Sequence, residues 1–167
     1  MAIIAVVNAA SATALRERPQ DIGLVVVDHG SRRAESNEML ERMADMIRQT
    51  VPYRVVEPAH MELAEPSIAT AFGRCIEAGV ELVVVSPYFL LPGRHWSQDI
   101  PSLAHEAAAA HPGSRYLVTA PLGLHPLMAD VVGSRVEHCL AHIEGDADEC
   151  EVCQGTGVCT LRQGAGT

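Results

Sequence analysis

Short apolar runs alternate along the chain with segments whose apolar positions recur every three or four residues. Ile22-Gly23-Leu24-Val25-Val26-Val27 is unbroken and β-branched, which predicts a strand covered on both faces. The spacing over Ser36–Gln49 predicts a helix with Met39, Leu40, Met43, Met46 and Ile47 on one face. A short strand follows at Tyr53–Val56. A helix is predicted over Pro66–Ala78, with Glu65-Pro66-Ser67 as its start and Gly79 as its stop. Leu82–Val85 reads as a third strand and Ser97–Ala110 as an alanine-rich helix, in which Pro101 fits only the first turn. Tyr116–Val118 is a fourth strand. A long helix over His125–Ile143 carries Leu127, Met128, Val131, Val136, Cys139, Leu140 and Ile143 in step. Beyond Glu144 the periodicity ends. The expected organisation is a flexible leader over residues 1–20, a domain over 21–143 and a cysteine-rich tail over 144–167.

Strands alternating with helices predict an α/β fold, a parallel sheet with helices on both faces. Ligands bind such sheets beyond the carboxyl ends of the strands. Three of those ends hold chemistry: Asp28-His29-Gly30-Ser31-Arg32-Arg33, Glu57-Pro58-Ala59-His60-Met61-Glu62, and Ser86-Pro87 through Gly93-Arg94-His95. Glycine after His29 allows a sharp turn that leaves the imidazole open. A neutral imidazole can ligate a divalent metal or accept a proton, and the Glu62 carboxylate can do either. His29, Glu62 and His95 are therefore the candidate catalytic residues, with His29 and His95 as candidate metal ligands. Each histidine taken singly is as readily a hydrogen-bonded structural residue; it is their shared place at the strand ends that favours a site.

Charge narrows the choice. The net charge is -9, from 12 basic and 21 acidic residues, which excludes an overall basic footprint for nucleic acid. No apolar run reaches the roughly 18 residues of a membrane span. All the basic residues are arginine, and Arg32, Arg33 and Arg94 adjoin the two histidines. That local excess suits a substrate with several carboxylates, which guanidinium groups bind bidentately, or is an ordinary solvated cluster. Tyr88, Phe89, Leu90, Leu91 and Trp96 offer a surface for a flat apolar ligand, or serve packing. The leader is a weak targeting signal, with little charge before its short apolar stretch.

Five cysteines are a poor disulfide framework. Cys150, Cys153 and Cys159 crowd into the tail, with Cys139 eleven residues ahead of Cys150. Four thiolates suit a [2Fe–2S] cluster or a structural zinc ion, and Cys139 suits a helix core equally well. Cys75, alone in a helix, reads as packing. His138 and His142, spaced i, i+4, read as a solvated pair near a helix end.

The segments VVVDHGSRRAESN, EPAHMELAEPSI, VVVSPYFLLPGRHWSQDIP and YLVTAPLGLHP resemble the class II tetrapyrrole chelatases. The likeness runs from about Leu24 to His142, and the tail GDADECEVCQGTGVC resembles that of the plant-type sirohydrochlorin ferrochelatases. The resemblance implies a flavodoxin-like domain that forms a homodimer, and a lyase of sirohaem biosynthesis that inserts Fe2+ into sirohydrochlorin. It implies His29 and His95 as metal-handling residues, Glu62 as the catalytic glutamate, a chloroplast location and no nucleotide. It also favours [2Fe–2S] over zinc at Cys139, Cys150, Cys153 and Cys159. Two alternatives remain: a cobaltochelatase of the same fold, and a non-catalytic iron–sulfur or metal-binding module that would have no use for His29, Glu62 and His95.

Overall fold

The structure, a computed structural model, describes residues 16–164; the expected leader lies outside the described residues up to Leu15. The chain forms two compact units that divide between Gly123 and Leu124.

In the first unit, after a 3-10 turn at Pro19–Asp21, the elements are β1 (Ile22–Asp28), α1 (Ala34–Thr50), β2 (Val55–His60), α2 (Ile68–Glu77), β3 (Leu82–Pro87), a π-helical turn (His95–Asp99), α3 (Ile100–Ala109) and β4 (Arg115–Val118). The described strands form one parallel sheet in the order β2-β1-β3-β4. Chain order reverses direction at β1, so β1 and β3 flank the topological switch point, where α/β sheets open a crevice. This is the expected α/β architecture, with helices on both faces. One face packs Val25, Val27, Val83 and Val85 with Ile68, Phe72 and Cys75 of α2 and Ile100 and Ala104 of α3. The other packs Leu24, Val26 and Val56 with Leu40 and Ala44 of α1. β1 is buried from Ile22 through Val27, as its unbroken apolar run requires.

Two elements depart from the sequence reading. β2 runs on through Pro58 to His60 where the expected strand stopped at Val56. Pro58 is tolerated because β2 is an edge strand, which needs no N–H on its open side. In α1 the buried positions are Leu40 and Ala44, whereas Met39 and Met46 are exposed. The small alanine, not the methionines, sits at the helix–sheet contact.

The second unit holds α4 (Pro126–Glu144) and the tail. His125 caps α4 by accepting the Leu127 N–H at Nδ1, 3.3 Å, and Gly145 ends it in the left-handed conformation at φ 88°.

Candidate functional site

The loop after β1 is built around Asp28. Its Oδ1 accepts the Gly30 N–H at 2.9 Å and receives the His60 Nδ1–H at 2.6 Å. Asp28 and His60 are register partners on neighbouring strands, and His60 is 1% exposed. The loop then closes on itself: Asn37 accepts the Ser31 N–H and donates to the Ser31 carbonyl, both at 2.9 Å. These bonds fix the backbone on both sides of His29.

The loop after β2 lies along the first. Met61 N–H donates to Asp28 O at 2.9 Å and Glu62 N–H to His29 O at 3.1 Å. Gly30 makes this approach possible: at φ 84°, a Cβ there would stand 2.0 Å from the Glu62 carbonyl oxygen. Leu63 follows at φ 68°, a left-handed conformation that costs a residue with a Cβ roughly 1–2 kcal/mol and sharpens the turn that carries Glu62.

The third contribution comes from the π-helical turn after β3. Its marking bond runs from Ile100 N–H to His95 O, and such turns concentrate at functional sites. His95 Nδ1 is 2.8 Å from Asp99 Oδ2. The His95 ring stacks beside Phe89 at a centroid distance of 6.3 Å and meets the edge of His29 at 5.2 Å. His29 Nε2 is 2.9 Å from Glu62 Oε1. The loops after β1, β2 and β3 thus bring His29, Glu62 and His95 to one place, on the open side of the switch point.

A cleft of about 490 Å³ opens there, lined by Met61, Glu62, Arg94, His95, Asp99, Ser102 and Leu103. Arg94 stands at its rim with its side chain 77% exposed and Nε 3.7 Å from Asp99 Oδ1. Arg32 and Arg33 are exposed on the β1 loop and do not line the cleft. Of the proposed apolar surface, Tyr88, Leu90 and Leu91 are exposed, whereas Trp96 is tied down by its Nε1–H donating to Thr119 O at 2.8 Å. A cleft of about 600 Å³ at the amino end of β3 and β4, between Ile76 and Arg115, holds none of these groups and lies on the wrong side of the sheet for ligand binding.

In the second unit the tail thiols meet in series: Cys150 with Cys153, Cys153 with Cys159, and Cys159 with Cys139 of α4. Hydrogen bonds from the backbone N–H groups of Cys153 and Val152 hold the Cys150 thiol below its ordinary value, while the hydrogen bond with Cys139 pushes Cys159 up to about 11. Arg135 pairs with Glu151 at 3.0 Å, and the rings of His138 and His142 reach the tail carbonyls of Asp148 and Ala147 at 3.1 and 3.0 Å. The two histidines therefore tether the tail; they are not the solvated pair expected. Among the described residues no group of three or more His, Cys, Asp or Glu is gathered as a metal site. Cys75 is packing, as expected: it is fully buried, and burial pushes its thiol up to about 12.

Asp28, His60 and Asp99 were not among the candidate site residues. The signal for the first two is strand register, which sequence alone does not give. Asp99 was hidden because the helix was expected to begin at Ser97, which separated it from His95.

A family model described as CbiX matches residues 23–139. The chloroplastic sirohydrochlorin ferrochelatase of Arabidopsis thaliana is 60% identical over 139 residues, 83% of this chain and 62% of that protein. The sirohydrochlorin cobaltochelatase of Methanopyrus kandleri is 29% identical over 71% of this chain and 97% of its own length. Among solved structures, the sirohydrochlorin chelatase SirB of Bacillus subtilis in complex with cobalt superposes with a TM-score of 0.66 at 28% identity, covering 70% of this chain and 50% of that one. The chain thus spans less than two thirds of the plant relative and half of the Bacillus one.

Proposed function

The chain belongs to the CbiX family, and from that premise we propose that it is a sirohydrochlorin ferrochelatase of the plastid, inserting Fe2+ into sirohydrochlorin to give sirohaem. The observation that carries the reading is the Glu62–His29 pair, 2.9 Å apart, with the His95 ring beside it. In the reaction two pyrrole N–H bonds break, the ring nitrogens bind iron and two protons leave; no electron is transferred. The substrate iron must be held while it sheds water, which imidazole nitrogen does well. The protons need an acceptor next to the metal. The carboxylate of Glu62 takes them and His29 passes them toward solvent, a general-base role worth typically 10²–10⁴-fold. Arg94 at the rim would bind substrate carboxylates, with Arg32 and Arg33 contributing more distant charge. The 60% identity to the plant enzyme favours iron over cobalt.

The test is anaerobic insertion followed by absorbance, with Fe2+ and Co2+ in parallel. His29→Ala, Glu62→Gln and His95→Ala should each retain the fold by circular dichroism and lose at least 10²-fold in turnover. Wild-type turnover in any of the three removes that residue from the machinery. Insertion of Co2+ alone would favour the cobaltochelatase alternative.

The chemistry of the tail donor set suits an iron–sulfur cluster: four thiols, Cys139 on α4 and Cys150, Cys153 and Cys159 in the segment after it, are near enough to perturb one another's titration. These residues would hold a [2Fe–2S] cluster, which when bound supplies a one-electron redox centre. Insertion transfers no electron, so the cluster would be structural or regulatory, and its binding would order a polar, glycine-rich segment. Anaerobically purified protein should be brown and Cys153→Ser colourless; colourless wild type with bound zinc would overturn the assignment.

A second copy is part of the reading. α4 carries exposed Val132, Val136, Leu140 and Ile143, which helical spacing places on one face as an apolar row. A two-fold homodimer, the commonest assembly, would cover it. A monomer fully active at nanomolar concentration would count against this.

A further inference from the structure

We infer that Asp99 is a positioning residue for His95: it holds the imidazole in the tautomer with hydrogen on Nδ1, so that the Nε2 lone pair is the one offered to the substrate metal. The inference rests on the chelatase reading above. It starts from an asymmetry between the two site histidines. His29 has an acceptor within reach of each ring nitrogen, Glu62 Oε1 at 2.9 Å from Nε2 and the Gly30 carbonyl at 3.2 Å from Nδ1, and a neutral ring donates to one of them. His95 has one, Asp99 Oδ2 at 2.8 Å from Nδ1; among the described residues nothing engages its Nε2.

A carboxylate oxygen can only accept, so the shared hydrogen belongs to Nδ1 and the neutral ring keeps its lone pair on Nε2. A carboxylate behind a ligating histidine fixes the tautomer and ring orientation and raises the basicity of the ligating nitrogen. Packing fixes the ring plane from two further sides, Phe89 stacked on it and His29 meeting it edge-on.

The alternative duty for an aspartate in this place is capping. Asp99 is the residue before α3, yet its carboxylate accepts no backbone N–H of that helix. It is directed to His95 instead, with Arg94 Nε 3.7 Å from its other oxygen. The π-helical turn sets this geometry, carrying His95 at its first residue and Asp99 at its last.

Two measurements on the full chain test the assignment. In the first, long-range proton–nitrogen spectra of ¹⁵N-histidine protein read the His95 tautomer, with His95→Gln identifying its signals. Wild type should show hydrogen on Nδ1, and Asp99→Ala should shift the ring toward hydrogen on Nε2. Asp99→Asn, which keeps size and one acceptor oxygen, should lie between them. In the second, Co2+ alone is titrated into the holo-protein and only the binding abolished by His95→Ala is scored. Asp99→Ala should weaken it by about 10–100-fold. With Fe2+ as substrate, the same variant should raise the metal KM by a similar factor while kcat at saturating metal falls much less. A His95 that keeps hydrogen on Nδ1 in Asp99→Ala, or unchanged Co2+ affinity in that variant, would overturn this inference and leave the chelatase reading intact. Wild type with no His95-dependent Co2+ binding and no insertion of Fe2+ or Co2+ into sirohydrochlorin would sink the chelatase reading itself.

Discussion

His60 and Asp28 face each other across β2 and β1 with Nδ1 and Oδ1 2.6 Å apart, and the same carboxylate oxygen holds the Gly30 N–H. One side chain thus ties the edge strand to the turn that carries His29. The His60 Nε2 is buried with no hydrogen-bond partner among the described residues, which leaves Nδ1 as the ring's anchor there. Asp28→Ala should destabilise the protein by about 1–3 kcal/mol, the usual cost of orphaning a buried polar group. Denaturant unfolding checks this, and a change under 0.5 kcal/mol on the order of an ordinary surface substitution would contradict it.

Gly30→Ala should be far more damaging to activity than its size implies. The added methyl would stand 2.0 Å from the Glu62 carbonyl oxygen, so the loops that carry His29 and Glu62 must separate. Loss of the His29–Glu62 pair should lower turnover by about 10²-fold or more, the scale on which small misplacements act. Steady-state turnover of the folded variant is the measurement, and near-normal turnover would show that the loops need not touch.

Arg94→Ala should raise the KM for sirohydrochlorin more at low salt than at high salt, because screening weakens an exposed charge. Arg32→Ala and Arg33→Ala should do so less, since Arg94 alone of the three lines the cleft. Equal effects from all three would mean that the tetrapyrrole lies across the β1 loop.

Glu65 gives a pH dependence of stability. Its carboxylate accepts the Ser67 N–H at 2.7 Å and the Thr70 hydroxyl at 2.9 Å, and these bonds, the backbone one first, hold it below its ordinary value of 4.5. The ionised form is favoured by folding, so the contribution is present above pH 4.5 and is lost as pH falls through the lowered value. Thermal midpoints of wild type and Glu65→Gln should therefore differ at neutral pH and converge in acid. A gap that persists to the lowest pH would assign the effect to something other than ionisation.

The centre of the sheet was legible in the sequence because β1 and β3 are runs of apolar residues that one chain segment can display. The meeting of His29, Glu62 and His95 was legible one step further, since parallel strands put their carboxyl ends on one side. What supports those residues was not. Asp28 and His60 lie 32 positions apart, and only strand register pairs them. Pro58 read as a strand end because nothing local says that β2 is an edge. Asp99 meets His95 as an i, i+4 pair because the helical turn begins at His95, two residues ahead of the expected start at Ser97.

That turn has a bearing on which length changes the protein can absorb. A change of length between Phe89 and Arg94 leaves the His95–Asp99 spacing intact, provided that the Phe89 ring still stacks on His95. Between His95 and Ile100 there is no such freedom. Ile100, Ala104 and Ala107 are locked into the core. Deleting one residue from the turn would convert it to an ordinary α-helical turn and change the four-residue spacing that sets His95 against Asp99. Homologues and designed variants alike should therefore tolerate gaps before Arg94 and none in the five residues that follow it.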